Sequence, residues 1–171
     1  MKRVSIILIW VFIISIKLVH GQSNWVKLNS GTTLFFTSVD FINNDTGLVV
    51  GTPGIILKTM DGGKNWIQQN SGTSANLGTV SFVNKNIAYV CGDNGLVLKT
   101  IHGGSSWFTL NTGITSMLYS ANFIDADVGY AAGMGGTVIK TINGGDTWEI
   151  QTSNINNHIY NISFQNNFNG L

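Results

Sequence analysis

Little of this 171-residue sequence is charged: 10% of it, with a formal net charge of +1. It holds one Cys and one Pro. A lone Cys91 cannot pair within the chain, which excludes a disulfide scaffold. So little proline, without a three-residue glycine period, excludes a collagen-like fibre. The lack of a basic excess argues against nucleic acid as a partner. Disorder is excluded by what is abundant, since 43% of residues are hydrophobic and 11% aromatic.

The first 21 residues read as an address. Lys2 and Arg3 precede an apolar run from Val4 to Ile16, broken only by Ser5 and Ser15, and Lys17 closes it. Val19-His20-Gly21 then offers small or modest residues for cleavage, with Gln22 as the new N-terminus. This is the layout of a secretory signal. The run is shorter than the roughly 18 residues of a spanning helix, so cleavage is expected and no stable membrane span remains. The mature chain then has no arginine, and its six lysines against eight acids give −2. An exported chain without disulfides points to a bacterium, with a secreted, periplasmic or cell-surface location.

A repeat organises the rest. Trp25, Trp66, Trp107 and Trp148 are evenly spaced at 41 residues, and Phe41, Phe82, Phe123 and Phe164 keep step. Gly51, Gly92 and Gly133 form one column, Gly54, Gly95 and Gly136 another. The pairs Lys58-Thr59, Lys99-Thr100 and Lys140-Thr141 align, as do Asn29, Asn70 and Asn111. The units are 25–65, 66–106, 107–147 and an incomplete 148–171. A repeat this regular is read before any local motif.

Each unit reads as four short strands separated by Gly and Asn clusters. In the first they are Phe35–Ile42, Gly47–Val50, Ile55–Thr59 and Trp66–Gln69. The second has Thr79–Val83, Ala88–Cys91, Leu96–Thr100 and Trp107–Leu110. The third has Ser120–Ile124, Gly129–Ala132, Thr137–Thr141 and Trp148–Gln151. Four strands in about 41 residues is one β-propeller blade. The expected fold is all-β, a β-propeller with three full blades and partial first and last ones over 22–171. Residues 25–29 are expected as a lone fourth strand, and a first strand is expected near 158–165. Three blades cannot close a ring, which needs roughly four to eight. The repeat therefore predicts the N-terminal part of a longer protein.

The most specific motif joins the third and fourth strands. It runs Thr59-Met-Asp61-Gly-Gly63-Lys-Asn-Trp66, then Thr100 to Trp107 with His102 and Gly104, then Thr141 to Trp148 with Asn143 and Gly145. A short polar side chain at the third place can bond back to nearby backbone N–H groups. Gly at the fifth place tolerates positive φ, and the Trp packs its ring on the sheet. Because His102 and Asn143 replace the Asp, the third place reads as a turn former rather than a catalyst or metal ligand.

This motif resembles the Asp-box, or BNR repeat, of form Ser/Thr-x-Asp-x-Gly-x-Thr-Trp. The whole unit, from 25 to 171, resembles the photosystem II assembly-factor type of propeller repeat. That resemblance implies a non-enzymatic, seven-bladed scaffold that holds partner proteins and needs no cofactor. The reading is thus an exported scaffold for a protein partner or a cell-surface glycan. The alternatives are the N-terminal part of an Asp-box glycoside hydrolase or of a surface adhesin.

The chemistry-bearing residues fit those readings unequally. A sialidase needs an arginine cluster and a Tyr–Glu pair, and Glu149 is the only glutamate. Another hydrolase needs two carboxylates facing across a cleft. Asp40, Asp93, Asp125 and Asp127 are available, and turn chemistry accounts for such residues most simply. His102 and His158 are isolated and Cys91 sits mid-strand, so no metal site is expected. A binding face is expected at the loops between blades and the turns between second and third strands. Its candidates are Asn76, Asp93, Asn94, Met117 and Met134, which vary between copies on a fixed scaffold.

Overall fold

The computed structural model describes residues 27–166 and 169–170. The expected signal over 1–21 and Trp25 lie outside the described residues. The first sheet holds β1 (Phe35–Phe41), β2 (Gly47–Thr52), β3 (Ile56–Thr59) and β4 (Ile67–Gln69). The second holds β5 (Leu77–Phe82), β6 (Ala88–Gly92), β7 (Val97–Thr100) and β8 (Phe108–Leu110). The third holds β9 (Leu118–Phe123), β10 (Gly129–Gly133), β11 (Val138–Thr141) and β12 (Glu149–Gln151). Every sheet is antiparallel, with its strands in chain order. These three sheets are successive blades, and β5 packs between β1 and β9 on the inner side. The arc they form is open.

Within the three sheets, two strand starts differ from expectation by more than one residue. β5 and β9 begin at Leu77 and Leu118, two residues before the expected Thr79 and Ser120. The register slips between residues 36 and 38, 77 and 79, and 118 and 120, so each inner strand carries a bulge in the same column. Gly78, which looks like a turn residue, is the bulged position. At the ends, residues 27–29 carry no strand, for a fourth strand needs a third beside it to pair with. The first strand expected near 158–165 is shorter, with β13 (Phe164–Asn166) paired to β14 (Asn169–Gly170). Residues 158–163 run instead alongside β9, with no ladder of their own. Ile162 N donates to Ser120 Oγ at 3.2 Å and Phe164 N to Asn122 Oδ1 at 3.1 Å.

The core lies between blades. Leu48, Val50 and Ile56 of the first sheet meet Val80, Val90 and Leu98 of the second. Tyr89, Cys91 and Val97 on its far side meet Ala121, Phe123, Ala131 and Ile139 of the third. The central strands are therefore apolar on both faces. Phe and Trp columns pack edge to face within a blade, at 6.1 Å for Phe41–Trp66 and 6.1 Å for Phe123–Trp148. The small polar column of the inner strands ties blades together, since Asp40 Oδ2 accepts the Phe82 N–H at 2.7 Å.

Cys91 is fully buried, and burial pushes its thiol pKa up to about 12. A thiolate is the reactive form. The folded chain is expected to resist an aromatic disulfide reagent, with one thiol released for titration only once urea unfolds the second blade. Rapid labelling of the folded chain would contradict the packing.

Candidate functional site

The strand ends gather into two sets of loops. The β1–β2 and β3–β4 connections and their counterparts lie at one end of the sheets. The β2–β3 turns and the loops between blades lie at the other.

At the first end, the turn motif is consumed by its own hydrogen bonds. Thr59 Oγ1 accepts from Gly63 N at 2.9 Å and donates to Asp61 Oδ1 at 2.9 Å. Asp61 accepts from Asn65 through both its backbone N (2.9 Å) and its Nδ2 (2.8 Å). Those bonds from Asn65 hold the Asp61 carboxyl below the usual carboxylate range. Thr141, Asn143 and Gly145 repeat the arrangement, with Thr147 N donating to Asn143 Oδ1 at 2.9 Å. In the middle copy Thr100 Oγ1 still holds Gly104 N at 3.0 Å, but His102 reaches only the Ser106 hydroxyl, Nδ1 to Oγ 2.8 Å. Trp107 Nε1 donates to Gly104 O at 3.1 Å, whereas the buried Trp148 Nε1 has no partner among the described residues. Each corner is also pinned to the β1–β2 type of loop, as by Gly62 N to Asp45 O at 2.9 Å and Gly144 N to Asp127 O at 2.8 Å. Asp125 closes that loop by accepting from Asp127 N (2.9 Å) and Val128 N (2.7 Å).

The other end is built differently. Residues Asp93–Gly95 and Met134–Gly136 form short 3₁₀ turns, with Asn94 at φ 57° and Gly135 at φ 64°. The loops entering the second and third blades lie against those blades' own turns. Asp93 N donates to Asn76 O at 3.0 Å, and Asp93 Oδ2 accepts from Asn76 N at 3.3 Å. Met134 N donates to Met117 O at 2.9 Å, and the loop leaving the third blade meets the same turn through Ile159 N to Gly133 O at 3.0 Å. Asn76 is thus brought to Asp93, and Met117 to Met134. Asn76, Asn94 and Met134 are exposed, while Asp93 and Met117 are half-buried.

One recurring element escapes a search for identical columns. Ser71, Thr112 and Ser153 each donate a hydroxyl to the glycine carbonyl of the adjoining turn: to Gly54 O at 2.6 Å, Gly95 O at 2.7 Å and Gly136 O at 2.7 Å. The signal was present as a hydroxyl in every copy, divided between two residue types. Open hollows lie beside these anchors, one of about 450 Å³ lined by both polar and apolar groups, among them Asp93, Asn111, Thr112, Leu96 and Ile114.

Among the described residues no three His, Cys, Asp or Glu side chains gather to hold a metal ion. No helix there is long and apolar enough to cross a membrane. Asp40, Asp93 and Asp125 are each engaged by backbone N–H groups.

Four-stranded blades in sequence order, cornered by Thr-anchored Gly-Gly turns ahead of a Trp, define an incomplete β-propeller of BNR repeats. The chain belongs to the photosynthesis system II assembly factor YCF48 family, whose model matches residues 18–113. A solved structure of YCF48 bound to D1 peptide is similar in fold, with a TM-score of 0.70 at 20% identity over 79% of this chain and 46% of that one. YCF48 from Cyanidioschyzon merolae aligns at a TM-score of 0.65 and 22% identity, over 75% and 43%. An ancestral GH74 enzyme aligns at 0.57 and 20%, over 66% and 18%. The chain spans less than half the length of each of these structures. No curated protein matches it.

Proposed function

We propose that this chain is an exported, non-enzymatic propeller scaffold that binds a segment of a partner protein on the face bearing Asn76, Asp93, Asn94, Met117 and Met134. The pinning of each inter-blade loop to its neighbouring turn carries the reading. It holds residues that differ from copy to copy on a backbone that does not, which is what a selective surface requires. The opposite end offers less, because its polar groups are spent on its own corners. The YCF48 structure with D1 peptide supports a protein as the partner. The GH74 neighbour supports a hydrolase instead, but Asp40, Asp93 and Asp125 are each taken up by backbone N–H groups.

A photo-crosslinking amino acid placed at 134, or at 64 on the opposite end, tests this in the producing cells. A discrete adduct with one partner protein is expected from position 134 and none from 64. Adducts from 64 alone, or from neither, would refute the face. Deleting residues 1–21 is expected to retain the chain inside the cell, and unchanged fractionation would remove the export half of the proposal.

A further inference from the structure

The end of the sheets that carries the variable loops is almost without charge. Among the described residues it holds one Asp, Glu, Lys or Arg, which is Asp93. Lys58, Lys99 and Lys140 lie within β3, β7 and β11, and Lys27 ahead of the first blade. Lys64 and Lys85 sit in connections at the opposite end. The other acids stand in β1, at that opposite end or, for Glu149, in β12. The column of Asp93 holds Thr52 in the first blade and Met134 in the third, so the charge belongs to one copy.

Asp93 lines the open hollow of about 450 Å³ in the second blade. Its carboxylate accepts one bond there, from Asn76 N to Oδ2 at 3.3 Å. An ionised carboxylate has about four acceptor sites, so most of its capacity is free. Leu96, Leu110 and Ile114 line the same hollow and are each half-buried. The backbone around it is fixed by Thr112 Oγ1 donating to Gly95 O at 2.7 Å and Asp93 N donating to Asn76 O at 3.0 Å. The equivalent hollow of the first blade, about 460 Å³, has Gln69 and Thr73 where the second has Leu110 and Ile114, and no carboxylate. The second blade has both its neighbours, with β5 packed between β1 and β9. Every loop and strand that the repeat sets around this hollow is therefore in place.

We propose that this hollow receives a lysine or arginine side chain of the partner segment. The aliphatic stem lies along Leu96, Leu110 and Ile114, and the charged head meets the Asp93 carboxylate. Long basic side chains bury their stems on apolar surface while the head stays wet, which suits a hollow that is apolar in part and open. A bound metal ion fits less well, because a hard cation needs six or more oxygens and one carboxylate is present. The inference rests on the binding face proposed above and names the chemistry that face selects.

Random heptapeptides selected by display on the full chain test it. The selected sequences are expected to share a Lys or Arg. For a synthetic copy of one of them, changing that residue to norleucine should weaken binding at least fivefold at low salt. Asp93→Asn in the chain should weaken it equally. The two changes together should cost no more than either alone, which marks a direct pair. Added salt should weaken the wild-type complex. Asparagine keeps an oxygen for the Asn76 N–H, so Asp93→Asn is expected to keep the wild-type melting curve. Asp93→Lys should select peptides with Asp or Glu instead. Peptides with no shared basic residue, or losses that add in the double variant, would overturn the basic anchor and leave the face standing. No selected peptide, or peptides that fail to crosslink from position 134, would overturn the face, and this inference with it.

Discussion

Gly92→Ala is expected to destabilise the chain by at least about 3 kcal/mol, a large share of the roughly 5–15 kcal/mol that holds a domain folded. The reason is close approach rather than an unusual dihedral, because Gly92 is extended at φ −173°. It ends β6 opposite Leu77, just before the 3₁₀ turn. A Cβ there would fall inside the van der Waals shell of the Asn76 carbonyl oxygen, with the Leu77 Cα at 3.1 Å. Both are backbone atoms, so no rotamer change relieves the clash. Gly51 faces Phe35 O and Gly133 faces Met117 O in the same way. Gly72→Ala is the control, for it meets nothing within 4 Å and costs only its positive φ, about 1–2 kcal/mol. Urea unfolding of both variants decides the matter, and equal midpoints would show that the close approach is not what selects glycine.

The second large effect is expected at Tyr89, the largest fully buried side chain among the described residues. Its ring stacks on Phe123 of the next blade at 3.5 Å between centroids and 4° between planes. Its hydroxyl donates to Gly144 O at 2.9 Å, where Lys99 Nζ also donates at 2.8 Å. Tyr89→Ala removes a buried aromatic from the seam between the second and third blades, a loss of about 3–5 kcal/mol. Tyr89→Phe keeps the stack and leaves Gly144 O its bond from Lys99, so it should cost only about 1 kcal/mol.

The same residue sets an alkaline limit. Burial raises the Tyr89 pKa above its ordinary value, helped by the charges of Asp127 and Asp146. Burial likewise raises the Cys91 thiol, against a smaller opposing effect of the Thr79 N–H. Both groups are neutral when protonated, and both release protons more readily in the unfolded chain. Their stabilisation is therefore complete below the unfolded values, about 8.5 for Cys and about 10 for Tyr, and is lost as pH rises through and beyond them. The melting temperature should fall above about pH 8.5. Cys91→Ala should flatten the first part of that fall and Tyr89→Phe the part above about pH 10. A melting temperature unchanged to pH 11 would contradict this account.

The parts of this fold that could be read from sequence were those fixed by a single residue type in every copy. Evenly spaced tryptophans gave the blade length, and the Thr and Gly-Gly columns gave the corner whose hydrogen bonds the structure shows. The Gly51, Gly92 and Gly133 column was equally visible, but its cause was not. That cause is the carbonyl of a different strand, brought close by pairing. Tyr89 was hidden because its column holds Leu48, Tyr89 and Tyr130, so only a neighbouring blade reveals its value. The bulges were missed at Gly78 because a glycine before a strand reads as a boundary until its ladder partners are known. The face proposed for binding was visible in the sequence only as variable loops. Which of them touch was not, because Asn76 meets Asp93 only after the intervening strands have folded back.

Lys99 reaches forward to the Gly144 carbonyl of the following blade, and Lys58 Nζ lies beside Gly103 in the same sense, 3.7 Å from where a Cβ would stand. Lys99 thus carries a donor on one flank of its module for an acceptor on the next, and Lys58 stands at the equivalent place. An in-frame duplication of one such segment would insert a newcomer already matched to both neighbours. Unequal crossing-over could then lengthen or shorten this array in whole steps, leaving every seam chemically intact.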